Sequence, residues 1–220
     1  MLGGANALAV QNADGGWEVL QYANAELTAP NRWRLSKLLR AQAGTEGAMR
    51  DPVGAGARVV LLDGVPEQLS LTQDEYALPF NYLWGPQGKP ISDPAYQGAS
   101  LKFAGVGLRP LSPVQLDAKW RSGDLYLSWI RRTRIGGDSW DQSEVPLGEE
   151  SEAYDVEILD AAGDVIRSFS EQPVAGALYL AANIAADFPS GLPSPFRFRV
   201  YQRSASYGRG AGRTRDVWFT

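Results

Sequence analysis

Leu125-Tyr126-Leu127-Ser128-Trp129-Ile130 reads as a half-buried β-strand, because apolar side chains recur at every second position. It runs directly into Arg131-Arg132-Thr133-Arg134-Ile135-Gly136-Gly137-Asp138-Ser139-Trp140. A further polar stretch closes on Val145-Pro146-Leu147-Gly148-Glu149-Glu150-Ser151-Glu152. A strand feeding so long a loop inside a compact domain points to a loop with a job, since long structureless connections are uncommon and usually functional.

Working outward from this strand, the same short-period pattern recurs at residues 114–120, 154–160, 164–169, 177–184, 196–202 and 213–219. With residues 125–130 that makes seven short strands, the count of an immunoglobulin-like sandwich. In Phe196-Arg197-Phe198-Arg199-Val200-Tyr201 the apolar side chains point inward and Arg197, Arg199 and Tyr201 outward. A Pro-led first strand, Trp129 in the second and this run in the sixth resemble fibronectin type III domains, which need no disulfide.

Upstream, residues 7–10 and 17–22 read as strands joined by Asn12-Ala13-Asp14-Gly15-Gly16, whose residues tolerate positive φ. Residues 26–28 and 32–39 read as a second hairpin around Ala29-Pro30-Asn31, with Trp33, Leu35 and Leu39 on one face. In Leu38-Leu39-Arg40-Ala41-Gln42-Ala43-Gly44-Thr45-Glu46, Gly44 closes a turn, Thr45 caps one helical turn and Arg40 pairs with Glu46. Residues 58–62 read as a buried strand, 69–71 as a short one, 79–84 as another halted by Gly85-Pro86, and Leu101 opens the last strand of this half. Gly105-Val106-Gly107-Leu108-Arg109-Pro110-Leu111-Ser112-Pro113 stops pairing and marks the boundary. The expectation is an all-β chain: a small β domain over 1–108, then a sandwich over 109–220.

Composition narrows the chemistry. The 220 residues contain no His and no Cys. A Ser-His-Asp or Cys-His nucleophile cannot be built from this chain, and neither can a thiolate metal site. No Gly-x-Ser-x-Gly elbow and no phosphate-binding Gly-x-x-x-x-Gly-Lys-Ser/Thr loop occurs. Net charge is −4, and neither half is basic enough to mark a nucleic-acid surface. No run of eighteen apolar residues is present, and the N-terminus lacks a basic leader segment. Arg outnumbers Lys by 17 to 4, a preference that suits bidentate, packed contacts.

Three segments carry candidate function. The acidic group Glu149, Glu150 and Glu152, with Asp141 and Glu144 nearby, offers the carboxylates a glycosidase requires. Its Ser, Gly and Ala neighbours make a charged loop paired with Arg131, Arg132 and Arg134 the better reading, and the spacing matches no calcium loop. Tyr207-Gly208-Arg209-Gly210-Ala211-Gly212-Arg213 reads as a hairpin loop whose arginines and bare backbone suit an anionic or glycan partner. Trp140, in a polar loop, suits stacking on a sugar or anchoring an interface, and equally a plug for the open end of the sandwich. Trp17, Trp33, Trp120, Trp129 and Trp218 fall on strands, where core or sheet-face packing is the ordinary role. The candidate contact residues are therefore Trp140, Arg131, Arg132, Arg134, Tyr207, Arg209 and Arg213, with no catalytic, cofactor or metal residue.

Taken together, the strand at 125–130, the arginine cluster, Gly136-Gly137-Asp138-x-Trp140 and Pro146-Leu147-Gly148-Glu149-Glu150 resemble, in that order, the C-terminal region of the tail-tip baseplate "megatron" protein of gene transfer agents and related siphophages. The Leu-Leu-Arg-x-Gln-x-Gly-Thr-Glu stretch is similar to phage tail-hub proteins of the same broad host-specificity family, and the 105–113 junction is also family-like. The resemblance implies a structural virion component that supports host attachment and DNA delivery. It also implies a homotrimer within the particle, partnered by other baseplate proteins and contacting a host glycan or receptor, and made in the bacterial cytoplasm. Full-length relatives carry an N-terminal barrel resembling glycoside hydrolases. Nothing here resembles that barrel, so the chain looks like a distal part or a split product, and no hydrolase residue carries over. A receptor- or glycan-binding adhesion module is the alternative expectation, and an accessory region of a cell-wall glycosidase the second.

Overall fold

A computed structural model describes residues 4–64, 66–67, 69–137, 141 and 144–219. The candidate Trp140 lies outside the described residues. Contacts divide the chain into two compact units, one comprising Met1–Asp63 with Gly107–Thr220 and the other Gly64–Val106.

The fold is all-β, as the alternation predicts. Strands β1 (Ala7–Gln11) and β2 (Trp17–Ala29) pair antiparallel. In their turn the Asn12 side-chain oxygen accepts the N–H groups of Asp14 and Gly16, at 3.0 and 2.8 Å. Strand β2 continues unbroken to Ala29 and folds back at Pro30-Asn31 into β3 (Arg32–Gln42), so residues 17–22 and 26–28 form one strand rather than two. With β4 (Val59–Leu61) the sheet order is β3-β2-β1-β4. Leu8, Val10 and Leu20 make its small core, flanked by Tyr22, Leu35, Val53 and Ala57. Residues 58–62 do not form the expected buried strand: Val59, Val60 and Leu61 form a three-residue edge strand and are exposed, as is Leu62 just past it.

Two expectations in the following segment are corrected. Thr45 is the first residue of a 3-10 turn at Thr45–Ala48, and the cap position is Gly44, held in the left-handed region at φ 74°. The Thr45 hydroxyl instead accepts the Val19 N–H and donates to the Gln42 carbonyl, tying the turn to β2. Arg40 does not pair with Glu46. Antiparallel register sets Arg40 against Glu18, 2.7 and 2.6 Å from its two carboxylate oxygens. Glu18 shares the parity of Leu20 and so faces inward. Burial pushes its pKa up, but the Arg40 guanidinium and the Ala41 N–H more than offset this and hold it below the usual carboxylate range.

The unit Gly64–Val106 centres on a hairpin of β5 (Pro79–Trp84) and β6 (Gln97–Lys102). Tyr82 meets Phe103 edge-to-face at 5.7 Å. Residues 69–71, expected as a strand, form none: three residues without a partner strand gain no ladder.

The last strands form two packed sheets. The first orders β7 (Val114–Arg121), β8 (Asp124–Ile130) and β11 (Gly176–Tyr179) as β11-β8-β7. The second orders β9 (Tyr154–Leu159), β10 (Val165–Gln172), β12 (Phe196–Ser204) and β14 (Arg213–Val217) as β10-β9-β12-β14, with the two-residue β13 (Gly208–Arg209) also on β12. Three strands facing four, in this order, is the fibronectin type III form of the sandwich. Leu125, Leu127, Val156, Ile158, Phe196, Phe198 and Val200 fill the space between the sheets. Each such side chain contributes about 1.5–3 kcal/mol on burial. Trp129 lies edge-on to Tyr154 at 5.1 Å and closes one end.

Residues 177–184, expected as one strand, divide. The strand ends at Tyr179 and a short helix α1 (Ala181–Asp187) follows. The Asp124 carboxylate accepts the Ala181 N–H, and Asp187 takes Arg167 and the Tyr179 hydroxyl. Of the tryptophans assigned to strands, only Trp129 enters the core; Trp17, Trp33, Trp120 and Trp218 are exposed, and Trp218 lies just past β14.

Candidate functional site

The described candidate residues of the sandwich lie on or beside two loops: the β8–β9 loop at 131–153 and the β12–β14 connection at 205–212. In the first loop, Arg131 donates to the carbonyls of Pro146 and Val145, at 2.9 and 2.5 Å. Arg134 donates to the Glu149 carboxylate at 3.0 Å and stands 5.8 Å over the Tyr207 ring. These contacts fold the loop's arginine-rich start onto its glutamate-rich end. Gly148 adopts φ 74°, and a Cβ there would lie 2.7 Å from the Thr133 hydroxyl oxygen, so the two arms close only over glycine.

Arg132 takes a different route. Its Nη2 lies 2.8 and 2.5 Å from the two oxygens of Glu46, and its Nε donates to the Ser112 carbonyl at 2.7 Å. The Ser112 N–H donates to Glu46 at 2.7 Å, and its hydroxyl lies 3.2 Å from the same carboxylate. Glu46 thus receives donors from the 105–113 junction and from the long loop. Sequence reasoning singled out all three stretches but did not predict that they meet.

Glu150, near the end of the first loop, is held by the turn that opens the second. The Ser206 hydroxyl and N–H, the Ala205 N–H and the Ser204 hydroxyl all donate to its carboxylate. The Ser206 hydroxyl is the main reason its pKa is lowered to about 2. A carboxyl this acidic stays ionised near neutrality, whereas a glycosidase's general acid needs a raised value. Glu152 accepts the Tyr154 hydroxyl at 2.8 Å.

Arg209 folds back across the four-stranded sheet. It donates to Asp155 at 2.5 Å and to Glu157 at 2.8 Å, and lies 4.7 Å over the Tyr201 ring. Arg199 donates to Glu157 at 2.8 Å, and Arg203 lies 3.3 Å from Asp155. Asp155 and Glu157 are 2% and 6% exposed although they point away from the inter-sheet core, because these arginines cover them. Burial raises both pKa values, but the guanidinium groups, with the Glu171 N–H on Asp155, bring each below its ordinary value. Neither acid was singled out from sequence, though their alternation with Tyr154, Val156 and Ile158 marks them as outward.

Of the candidate contacts, Arg131, Arg132, Arg134 and Arg209 therefore spend their guanidinium groups within the chain. Tyr207 is half-buried against Arg134, and Arg213 is exposed at the start of β14. Among the described residues no three acidic side chains gather in a metal-holding group.

Residues 1–60 match the family model described as Rcc01698-like, C-terminal. No curated protein matches the chain. A solved structure titled "Cytokine receptor complex - Crystal form 1A" is similar at 16% identity, covering 96% of this chain and 86% of that one, with a TM-score of 0.28. So loose a likeness carries no argument.

Proposed function

We propose that this chain is a non-enzymatic structural component of the tail tip of a phage or gene transfer agent, supporting host attachment and DNA delivery. In the particle it joins other baseplate proteins as a homotrimer. The match of residues 1–60 supports the reading. The observation that carries it is the convergence at Glu46. Three separate stretches resembling the tail-tip family, at 38–46, 105–113 and 131–150, are joined there by Arg132 and Ser112. Motifs that bond to one another hold a rigid part in shape, which is what a baseplate element under load requires.

Immunogold labelling of purified particles with antibodies to this chain tests the reading. Label confined to the tail tip is the expected result. Particles that lack the chain, or that deliver DNA normally when its gene is deleted, would overturn it.

A further inference from the structure

Strands β1 to β4 all precede Gly64, and both sheets of the sandwich follow Val106. Met1–Asp63 and Gly107–Thr220 still form one compact unit, while Gly64–Val106 forms another. The chain leaves its main body at Asp63 and rejoins it at Gly107. Within that body the two halves are joined by contacts that need no covalent link. The Glu46 carboxylate takes Arg132, the Ser112 N–H and the Ser112 hydroxyl. Backbones abut as well: a Cβ on Gly107 would lie 3.2 Å from the Ala43 carbonyl oxygen.

The unit between them is built differently. None of its described residues is buried. Its hairpin pairs Pro79–Trp84 with Gln97–Lys102, and two strands without a buried side chain are marginal in water. Leu83 to Ser92 are exposed without a break, across the turn that joins those strands. The turn is held by its own surface contacts. The Tyr96 hydroxyl donates to the Lys89 carbonyl at 3.2 Å, and Lys89 lies 3.5 Å from Asp93. Such contacts open at little cost. The other long connections are clamped. Arg131 and Arg134 fold the β8–β9 loop onto its own far end, and Glu150 holds the 205–212 turn. An endoprotease takes exposed loop tips that open locally, so 83–92 is the segment it reaches first.

We propose that the β5–β6 turn is a site of endoproteolysis, and that the cut chain persists as a two-part protein clasped at Glu46. The step is peptide hydrolysis. Water adds across one amide bond of the turn and yields a carboxylate and an ammonium group, with no other reactant. One fragment then carries β1 to β5, and the other β6 with the sandwich. The β5–β6 ladder spans the cut but has no core to hold it, so the Glu46 cluster carries the association. Neither the cut nor the clasp depends on whether the chain sits on a particle.

Limited digestion of the full chain with subtilisin, read by mass spectrometry and size-exclusion chromatography, tests this. First cuts between Leu83 and Ser92 are expected. The fragments should elute together at about ten micromolar and separate only in denaturant. Glu46→Ala should be cut at the same place, and its fragments should part at least about tenfold more readily on dilution. Glu46→Gln, which keeps the shape of the side chain and removes its charge, supplies the same comparison should Glu46→Ala fail to fold. First cuts outside 83–92 would overturn the site. Wild-type fragments that separate on cleavage would overturn the clasp. Fragments held as tightly in the Glu46 variants as in the wild type would also overturn it and assign the hold to the β5–β6 ladder.

Discussion

The guanidinium of Arg132 reaches both carboxylate oxygens of Glu46, at 2.8 and 2.5 Å, across 86 residues of sequence. The pair ties the N-terminal sheet to the sandwich with side chains only 34% and 17% exposed. Removing one partner strands the other in partly dry surroundings. Glu46→Ala should therefore cost about 1–3 kcal/mol in urea unfolding, with a double-mutant coupling to Arg132→Ala near 1 kcal/mol. The comparison is Arg34–Glu26 on the β2–β3 hairpin, 3.8 Å apart and 71% and 68% exposed, where Glu26→Ala should stay within about 0.5 kcal/mol. Equal losses at both sites would mean the Glu46 cluster is ordinary surface.

Acid should loosen the four-stranded sheet first on its arginine-covered face. Asp155 and Glu157 both have folded-state pKa values below the ordinary 3.8 and 4.5. A depressed carboxylate contributes stability that is complete above its unfolded pKa and lost as pH falls through the folded one. Unfolding free energy should be flat down to about pH 5 and decline below about pH 4. Asp155→Asn, which removes the charge facing Arg203 and Arg209, should cost about 1–3 kcal/mol at neutral pH, discounted because both arginines are partly exposed. Asp155→Asn should also flatten the acid limb, as stability curves of the two proteins from neutral pH to pH 2 will show.

Glu150 offers a separate handle on the 205–212 loop. Its pKa of about 2 means that the Ser204–Ser206 turn is held by a charge down to strongly acid solution. Glu150→Gln should raise amide exchange at Ala205 and Ser206 about tenfold or more at neutral pH, one pKa unit of lost interaction being a factor of ten. The difference from wild type should shrink as pH falls from 4.5 toward 2, since protonation then does in both proteins what the substitution does in one. An exchange difference that persists at pH 2 would sever the loop's order from the Glu150 charge.

The sandwich was legible because period-two alternation is local. Phe196, Phe198 and Val200 declare their side of β12 without reference to any other strand. Helix α1 is hidden in the sequence because Ala177 and Tyr179 alternate as a strand does right up to its first turn. The run Ala181-Ala182-Asn183-Ile184-Ala185-Ala186 has the helix propensity that could have revealed it. Arg40 was assigned to Glu46 because they are near in sequence. Its real partner follows from β2–β3 register, which sets Val19 opposite Gln42 and brings Glu18 within reach of Arg40. The candidate arginines were legible as a charged loop facing its own acidic cluster, but of the three only Arg134 pairs there, with Glu149, while Arg131 takes the carbonyls of Val145 and Pro146 and Arg132 takes Glu46. The Glu46–Arg132 contact and the cover of Arg209 over Asp155 were not legible, because they join segments whose approach depends on how the sheets pack.

Gly210 is where that approach is tightest. Its N–H donates to the Gln202 carbonyl at 2.9 Å, which holds the loop against β12. A Cβ built on it would lie 2.1 Å from the Pro110 carbonyl oxygen and 2.8 Å from the carbonyl carbon. Both are backbone atoms of the junction, so no side-chain rotation relieves the overlap. Gly212 is close to Tyr201, but there the clash is with a ring, 2.5 Å from its nearest atom, which has some freedom to turn. Gly210→Ala should therefore push the loop away from Pro110 and cost about 1–3 kcal/mol, the range for overpacking. Gly212→Ala should cost less. Arg209 sits one residue before the displaced position, so Gly210→Ala should also pull its guanidinium off Asp155 and Glu157. The mutant should then lose part of the acid limb that Asp155 gives the wild type, in the same stability-versus-pH measurement. A Gly210→Ala protein with wild-type stability and an unchanged acid limb would mean that the loop has room at Pro110.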